Sequence, residues 1–323
     1  MCRNGFDLRN VVAIATCLAV IAIFSGCSKE NELLEGITMD NYPRVDCSTS
    51  TAPLNLIIAA KLLGLKYEWT TNEWLGVRDV TFKNYDKLPL SFTEKLRYYQ
   101  THSAIINLID NQKDLIIVAR KMSADEKQYA DNAGVSLIET PIALDALDFI
   151  INVDNPVNSL TVEQIQNIYL GNITNWSEIG GGNEAIVPFI RNENSGSQEM
   201  MNEIVMNSIG MPDWDVSYAD ELTIYAMLHV YLELLRQNNG ICYTPHYYKE
   251  NMVCGVDEIK TLAVNGIRPD GNSLKNRTYP FVAPVYVAIR SDVDRNSMTY
   301  KLYEWLQTGE GKRVIRESGY VTE

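Results

Sequence analysis

The sequence predicts an α/β fold, and three observations carry that prediction. From Pro43 onward short apolar runs alternate with longer stretches of helical periodicity, the pattern of strands and helices in a largely parallel sheet. Hydroxyl clusters stand where helical stretches begin: Ser48-Thr49-Ser50-Thr51, Thr101-His102-Ser103 and Ser195-Gly196-Ser197. The chain has 323 residues, 46% of them hydrophobic, enough to bury a large core in one or two domains.

Taken in order, Arg44 to Cys47 reads as a strand and Leu54 to Leu65 as a helix behind the first hydroxyl cluster. Ala104 to Ile109 is a second helix, leading into a strand at Leu115 to Ala119. Asp125 to Ala133 is a third helix, and Val135 to Ile138 and Leu147 to Val153 are two strands. Asn155-Pro156 breaks the chain. Ser159 to Glu163 then opens a helix, with a hydroxyl to cap free amides and an acid at the positive end. Gly180-Gly181-Gly182-Asn183 is a turn, Ile186 to Ile190 a strand, and Gln198 to Met206 helical. No repeat of 20–50 residues is visible, which argues against a solenoid.

The N-terminus reads as a targeting segment. Arg3 and Arg9 precede an apolar run from Val11 to Phe24, which at about 14 residues suits a signal peptide and is too short to span a bilayer. The run ends in Phe24-Ser25-Gly26-Cys27, which resembles a bacterial lipobox. Residues 1–26 are therefore expected to be cleaved, Cys27 to carry lipid, and residues 27–41 to act as a tether. An uncleaved anchor is the alternative.

Lys and Arg number 28 against 41 Asp and Glu, a net charge of −13. Cleavage removes Arg3, Arg9 and Asp7 and makes it −14. The scattered basic residues exclude a nucleic-acid partner, which needs a basic stripe. His102, His229 and His246 lie far apart in sequence, so no metal site is expected. Cys47, Cys242 and Cys254 have no CxxC spacing and indicate neither a disulfide framework nor a zinc site, although Cys242 and Cys254 could pair. Gly196-Ser197 lacks the GxSxG turn of a serine hydrolase, and no acid–base pair is localised by spacing. The tyrosines Tyr243, Tyr247 and Tyr248 suit core packing better than a sugar-stacking platform. No enzyme activity and no cofactor are expected.

The third hydroxyl cluster is the most informative. Arg191, a short polar loop and Ser195-Gly196-Ser197 at a helix start offer a guanidinium fork, two hydroxyls and unpaired amides. Glycine there lets backbone approach a ligand, and the helix end favours negative charge. An ordinary helix cap would look the same in isolation. Three such clusters on strand-to-helix turns favour a shared anion crevice, because such turns converge in sheet proteins.

The segment from Phe149 to Ser197 resembles the middle of the substrate-binding proteins of ABC phosphate importers. The resemblance rests on Ile150-Ile151-Asn152-Val153-Asp154-Asn155-Pro156-Val157, Leu160-Thr161-Val162-Glu163-Gln164-Ile165, Ile168-Tyr169-Leu170-Gly171 and Ile173-Thr174-Asn175-Trp176, ending in Arg191 and Ser195-Gly196-Ser197. Weaker similarity covers Asp46 to Leu54, Asp114 to Lys127, Tyr279 to Val287 and Gly309 to Val321. The resemblance implies a two-lobed periplasmic-binding-protein fold of type II with two crossing strands as hinge, near Pro141 to Ile150 and Tyr279 to Tyr286. Residues 42–145 with 284–323 would form one lobe and 146–283 the other. It implies anion ligands at Thr49, Ser50, Ser103, Arg120, Asp145, Arg191, Ser195, Gly196 and Ser197. Asp145, with Asp46 as alternative, would accept the proton that phosphate carries and sulfate lacks. The expected protein is a monomeric, extracytoplasmic, lipid-anchored carrier that hands inorganic phosphate to an ABC permease in the membrane. The alternative is a sensor or scaffold of the same fold that binds sulfate, molybdate or nothing. Three departures stand out: Tyr98-Tyr99-Gln100-Thr101-His102-Ser103 lacks glycine, Ala119 stands where serine usually precedes the arginine, and Tyr67 to Leu90 is longer than usual.

Overall fold

The computed structural model describes residues 34–73, 76–193, 195–207, 209–212 and 224–323. The expected signal peptide, Cys27 and the first part of the tether lie outside them. β1 (Val45–Cys47) is a short run with every side chain buried. It feeds a tight turn at Thr49–Thr51 and then α1 (Ala52–Leu63), which carries Pro53 in its first turn, where a missing amide costs nothing, and stops at Gly64 in the left-handed conformation. β2 (Tyr67–Asn72) and β3 (Val77–Phe82) form a separate antiparallel hairpin. α2 (Thr101–Ile109), β4 (Leu115–Val118) and α3 (Ala124–Ala133) follow, and a reciprocal Ser123–Glu126 capping box opens α3.

β5 (Leu137–Asn152) is one 16-residue strand where two short strands were expected. Pro141, which interrupts the apolar pattern, sits where the register with the returning strand shifts, so a bulge absorbs its missing amide donor. Then come β6 (Ser159–Leu160), α4 (Val162–Tyr169), β7 (Val187–Pro188), α5 (Gly196–Met200), α6 (Ile224–Arg236) and β8 (Gly240–Pro245). α5 runs on into a wide turn at Met201–Val205. The chain closes with α7 (His246–Asn251), β9 (Ile259–Thr261), β10 (Ala263–Val264), α8 (Gly271–Lys275), β11 (Val282–Arg290), α9 (Met298–Trp305) and α10 (Gly309–Glu317).

The main sheet has the order β1-β4-β11-β5-β8-β7, with β9 also paired to β5. It is mixed, which corrects the expectation of a largely parallel sheet. β1 with β4 and β7 with β8 are parallel, but β5 and β11 run against every neighbour they pair with. β5 pairs with β11 from Leu137 to Ala146 and with β8 from Leu147 to Ile151. Two half-sheets therefore share one strand, the architecture of a two-lobed α/β fold. Phe149, Tyr169, Tyr243 and Phe281 pack ring against ring in the core beside its second half.

The β2–β3 hairpin explains the long segment after α1. Val80 and Phe82 are buried in the core that holds Leu54, Ile57 and Ile58 of α1. Its tip reaches the chain after α7: the Cys254 amide donates to Gly76 O (2.8 Å), and the Arg78 amide to Met252 O (2.8 Å). Cys47, Cys242 and Cys254 are all free thiols, so Cys242 and Cys254 are not paired.

Asp46 fixes the start of α2. Its buried carboxylate accepts from the Cys47 amide (2.8 Å), the Tyr99 amide (2.9 Å) and Asn107 Nδ2 (2.9 Å). Between Tyr99 and Thr101, Gln100 is held at φ 115°, a left-handed conformation that a side chain disfavours. Asp46→Ala is expected to lower stability by about 3 kcal/mol, since three donors lose a charged acceptor in the interior. Urea unfolding measures this, and an unchanged midpoint would show that α2 is positioned by other contacts.

Candidate functional site

The three hydroxyl clusters meet. Thr51 Oγ1 donates to Ile117 O (2.6 Å) and the Ala119 amide donates to Ser48 Oγ (3.1 Å), so the β1–α1 turn is locked onto the end of β4. Ser48 Oγ lies 2.8 Å from Thr101 Oγ1 at the start of α2. At the start of α5, a Cβ placed on Gly196 would stand 2.6 Å from that same Thr101 Oγ1 and 3.3 Å from Thr101 Cβ. Only glycine allows this approach between residues 95 apart in sequence. Ser48 and Thr101 thus hold the arrangement together, a role that composition could not reveal.

The expected ligands fall into separate groups. Thr49 and Ser50 are buried in the first turn, and their hydroxyls find no side-chain partner among the described residues. Ser103 is half-buried in the first turn of α2. Ser195 Oγ caps α5 by accepting from the Gln198 amide (3.0 Å), and Ser197 is buried behind it. Gln198 Oε1 in turn accepts from the Arg191 amide (2.9 Å) and from Tyr243 Oη (2.5 Å). Arg191 is therefore tied to the Ser195–Ser197 turn.

The Arg191 side chain is the electrostatic anomaly. It is 9% exposed, and no carboxylate pairs with it among the described residues. Burial pushes its guanidinium down from the ordinary value, opposed by neighbouring Cys242, Tyr243, Tyr248 and Tyr231. The Tyr248 hydroxyl beside it is buried without a partner. Tyr243 and Tyr248 read from sequence as packing residues, and their proximity to Arg191 follows from β8 pairing with β7 and α7 packing on β8.

Arg120 behaves in the opposite way. Nη1 and Nη2 grip Glu126 at 2.7 and 2.9 Å, and His102 Nδ1 shares the same carboxylate at 2.8 Å. Only its buried Nε lacks a partner. Its charge is neutralised within the protein, so it braces the start of α3 against α2 and is a poorer anion ligand than the sequence suggests. Asp145 is placed elsewhere again. Oδ1 accepts from the Ala146 and Tyr247 amides (2.8 and 2.9 Å), and burial raises its carboxyl to about 6. It faces a cavity of about 310 Å³ lined by Leu144, His246, Tyr247, Glu250 and Tyr320 among others, and by none of the other expected ligands.

A mixed sheet whose halves share one strand, with helix starts from two distant segments in contact near a buried arginine, defines a two-lobed α/β fold with a candidate anion site. The chain belongs to the PBP superfamily, whose domain profile matches residues 76–307. It is 26% identical to Protein SphX of Synechococcus elongatus over 64% of this chain and 62% of that protein. It is 22% identical to the phosphate-binding protein PstS of Borreliella burgdorferi over 57% of this chain and 65% of that one. The chain thus spans somewhat under two thirds of the length of these relatives. In structure it is similar to a putative phosphate ABC transporter substrate-binding protein with bound phosphate from Clostridium perfringens (TM-score 0.58, 21% identity, 86% of this chain and 98% of that one). An ABC-type phosphate transport receptor from Vibrio cholerae is alike to the same degree (TM-score 0.58, 19% identity, 86% and 99%). At these identities the likeness shows the fold.

The Arg120–Glu126 pair has a pH signature. Burial alone would raise the Glu126 carboxyl, but the bonds from Arg120 and His102 outweigh it and hold it at about 2 against an ordinary 4.5. A depressed carboxyl stabilises the fold above the unfolded value and loses that contribution as pH falls through 4.5 toward 2. Glu126→Gln strands a buried guanidinium and is expected to cost about 3 kcal/mol at pH 7. The gap to wild type should close between pH 5 and pH 2 in unfolding titrations, and a constant gap would show that charge is not what the pair contributes.

Proposed function

We propose that this protein captures inorganic phosphate outside the cytoplasm and presents it to an ABC permease, without catalysing a reaction. The carrying observation is Arg191, a buried cation with no carboxylate partner among the described residues. A buried charge is costly unless paired, and a bound anion is the missing partner. Thr49, Ser50 and Ser103 on one side, and Ser195, Gly196 and Ser197 on the other, supply hydroxyls and amides around it. Arg120, already paired, supports the rim. Asp145 is assigned to its own cavity and not to the anion. The likeness to proteins named for phosphate binding supports phosphate as the ligand.

The proposed lobes are residues 42–145 with 284–323 and residues 146–283, supported by the change of partner along β5 between Ala146 and Leu147. An anion that touches both favours the closed arrangement by its differential contacts. The acidic net charge does not oppose this, because distant surface charges are screened over about 8 Å in physiological salt. Calorimetric titration with phosphate, sulfate and molybdate tests the reading. Phosphate is expected to bind at one site per chain, and Arg191→Met to weaken it at least a hundredfold, or about 3 kcal/mol, with the fold retained. No binding of any of the three would sink anion capture, whereas sulfate bound as tightly as phosphate would sink phosphate alone and leave the sensor reading.

The lipid anchor is part of the same proposal. Among the described residues no helix is long and apolar enough to cross a membrane, and Cys27 ends the short apolar run. Two or three acyl chains at about 0.8 kcal/mol per buried CH₂ hold a soluble domain firmly. Cys27→Ser is expected to move the processed protein from the membrane fraction to the soluble one, and continued membrane fractionation would assign the anchor elsewhere.

A further inference from the structure

The cavity beside Asp145 belongs to a cluster that the anion reading does not use. β5 and β8 pair with Leu147 opposite Pro245 and Asp148 opposite Thr244. α7 begins at the next residue, so His246 starts its helix against Asp148, with Nδ1 2.9 Å from Asp148 Oδ2. Glu250 is four residues further on and shares that side of the helix. One ligand atom each from Asp148, His246 and Glu250 lie within 4.8 Å of one another.

Two further observations favour a cation as partner for this cluster. Asp148 is fully buried, and its Oδ1 has no hydrogen-bond partner. Asp145, three residues before it and 1% exposed, likewise leaves Oδ2 without one, and it lines the cavity together with His246, Glu250 and Asp270. Carboxylate oxygens stranded in the interior are costly. Four carboxylates gather here against His246 and Lys249, and Lys249 Nζ rests on Glu250 at 2.6 Å near the exposed edge. The cavity and the exposure of Glu250 give an entry path.

We propose that Asp148, His246 and Glu250 bind a divalent first-row transition-metal cation of the Zn²⁺ class. One imidazole and two carboxylates suit a borderline cation better than Ca²⁺ or Mg²⁺, which take oxygen alone. The three side chains leave a fourth position for water, and the free oxygen of Asp145 stands in reserve as an outer partner. On binding, His246 exchanges its hydrogen bond with Asp148 for the metal and Lys249 releases Glu250. The cation then clamps α7 to β5, the strand common to both half-sheets. The inference is independent of the phosphate reading.

Calorimetric titration of the full chain with ZnCl₂ in chelator-treated, phosphate-free buffer tests it, with thermal unfolding as a second readout. One Zn²⁺ per chain is expected to bind at micromolar concentration or below and to raise the melting temperature. Glu250→Gln, at an exposed position that leaves folding intact, is expected to weaken binding at least tenfold, and His246→Gln likewise. Absence of heat and of a melting shift in the wild type would overturn the proposal and leave Asp148–His246 a plain ion pair. Zn²⁺ binding that survives in both variants would overturn it as well, because the metal would be held elsewhere.

Discussion

One strand serving two sheets is the constraint on which the molecule turns. β5 takes its hydrogen bonds from β11 up to Ala146 and from β8 after Leu147, so neither half-sheet is complete without it. The residues proposed to hold the anion lie in turns and helix starts that follow strands ordered by this one. The β1–α1 turn and α2 reach their places through β4, which lies beside β11, and Arg191 and α5 reach theirs through β7, which lies beside β8. The contact between Gly196 and Thr101 closes the circuit from the other side. A fold of this kind lets two helix starts from remote parts of the chain meet at one place while their sheets stay separately packed.

The two arginines show how burial divides structure from function. Both are nearly inaccessible to water, and a guanidinium there must be compensated. Arg120 finds a bidentate carboxylate six residues away, and the pair joins the entry of α3 to His102 of α2. Among the described residues Arg191 has Cys242 and the tyrosines Tyr231, Tyr243 and Tyr248 as neighbours, which oppose its desolvation without cancelling its charge. Both stand in the sequence as candidate anion ligands, Arg191 from its own loop and Arg120 through the family resemblance. What separates them is Glu126, in a charged run that reads from sequence as a solvated helix face but is buried in the first turn of α3 and paired with Arg120.

That contrast marks where the sequence was legible. The hydroxyl clusters, the strand-to-helix turns and the order of elements follow from local periodicity and capping chemistry, and α1 to α4, β1 and β4 lie close to where those rules put them. Two short strands are read from the sequence where β5 runs on through Pro141, and the bulge facing it shows how a proline is tolerated there. The sheet was read as parallel because alternation of strands and helices cannot report that β5 and β11 run against their neighbours. His246 and Glu250 have helical spacing, yet the third ligand atom comes from Asp148, 98 residues before His246. The pairing of β5 with β8, which sets them side by side, leaves no trace in either segment.

The hairpin after α1 adds a term that the relationship between the lobes must include. On the proposed boundaries β2 and β3 belong to the first lobe and residues 251–254 to the second, and two backbone hydrogen bonds, Cys254 to Gly76 and Arg78 to Met252, join them. The Arg78 side chain strengthens the joint by donating to Asn251 O. Each such bond contributes roughly 1 kcal/mol net, so separating the lobes at this edge costs on the order of 2–3 kcal/mol before any ligand is lost. If these bonds break when the proposed lobes part, they contribute a bias toward the closed arrangement of about thirty- to a hundredfold. It also reduces how much further a ligand can shift the balance, because a ligand moves an equilibrium only by its difference in affinity for the two states. A protein built this way gains preorganised affinity and gives up part of the conformational signal that a membrane partner could read.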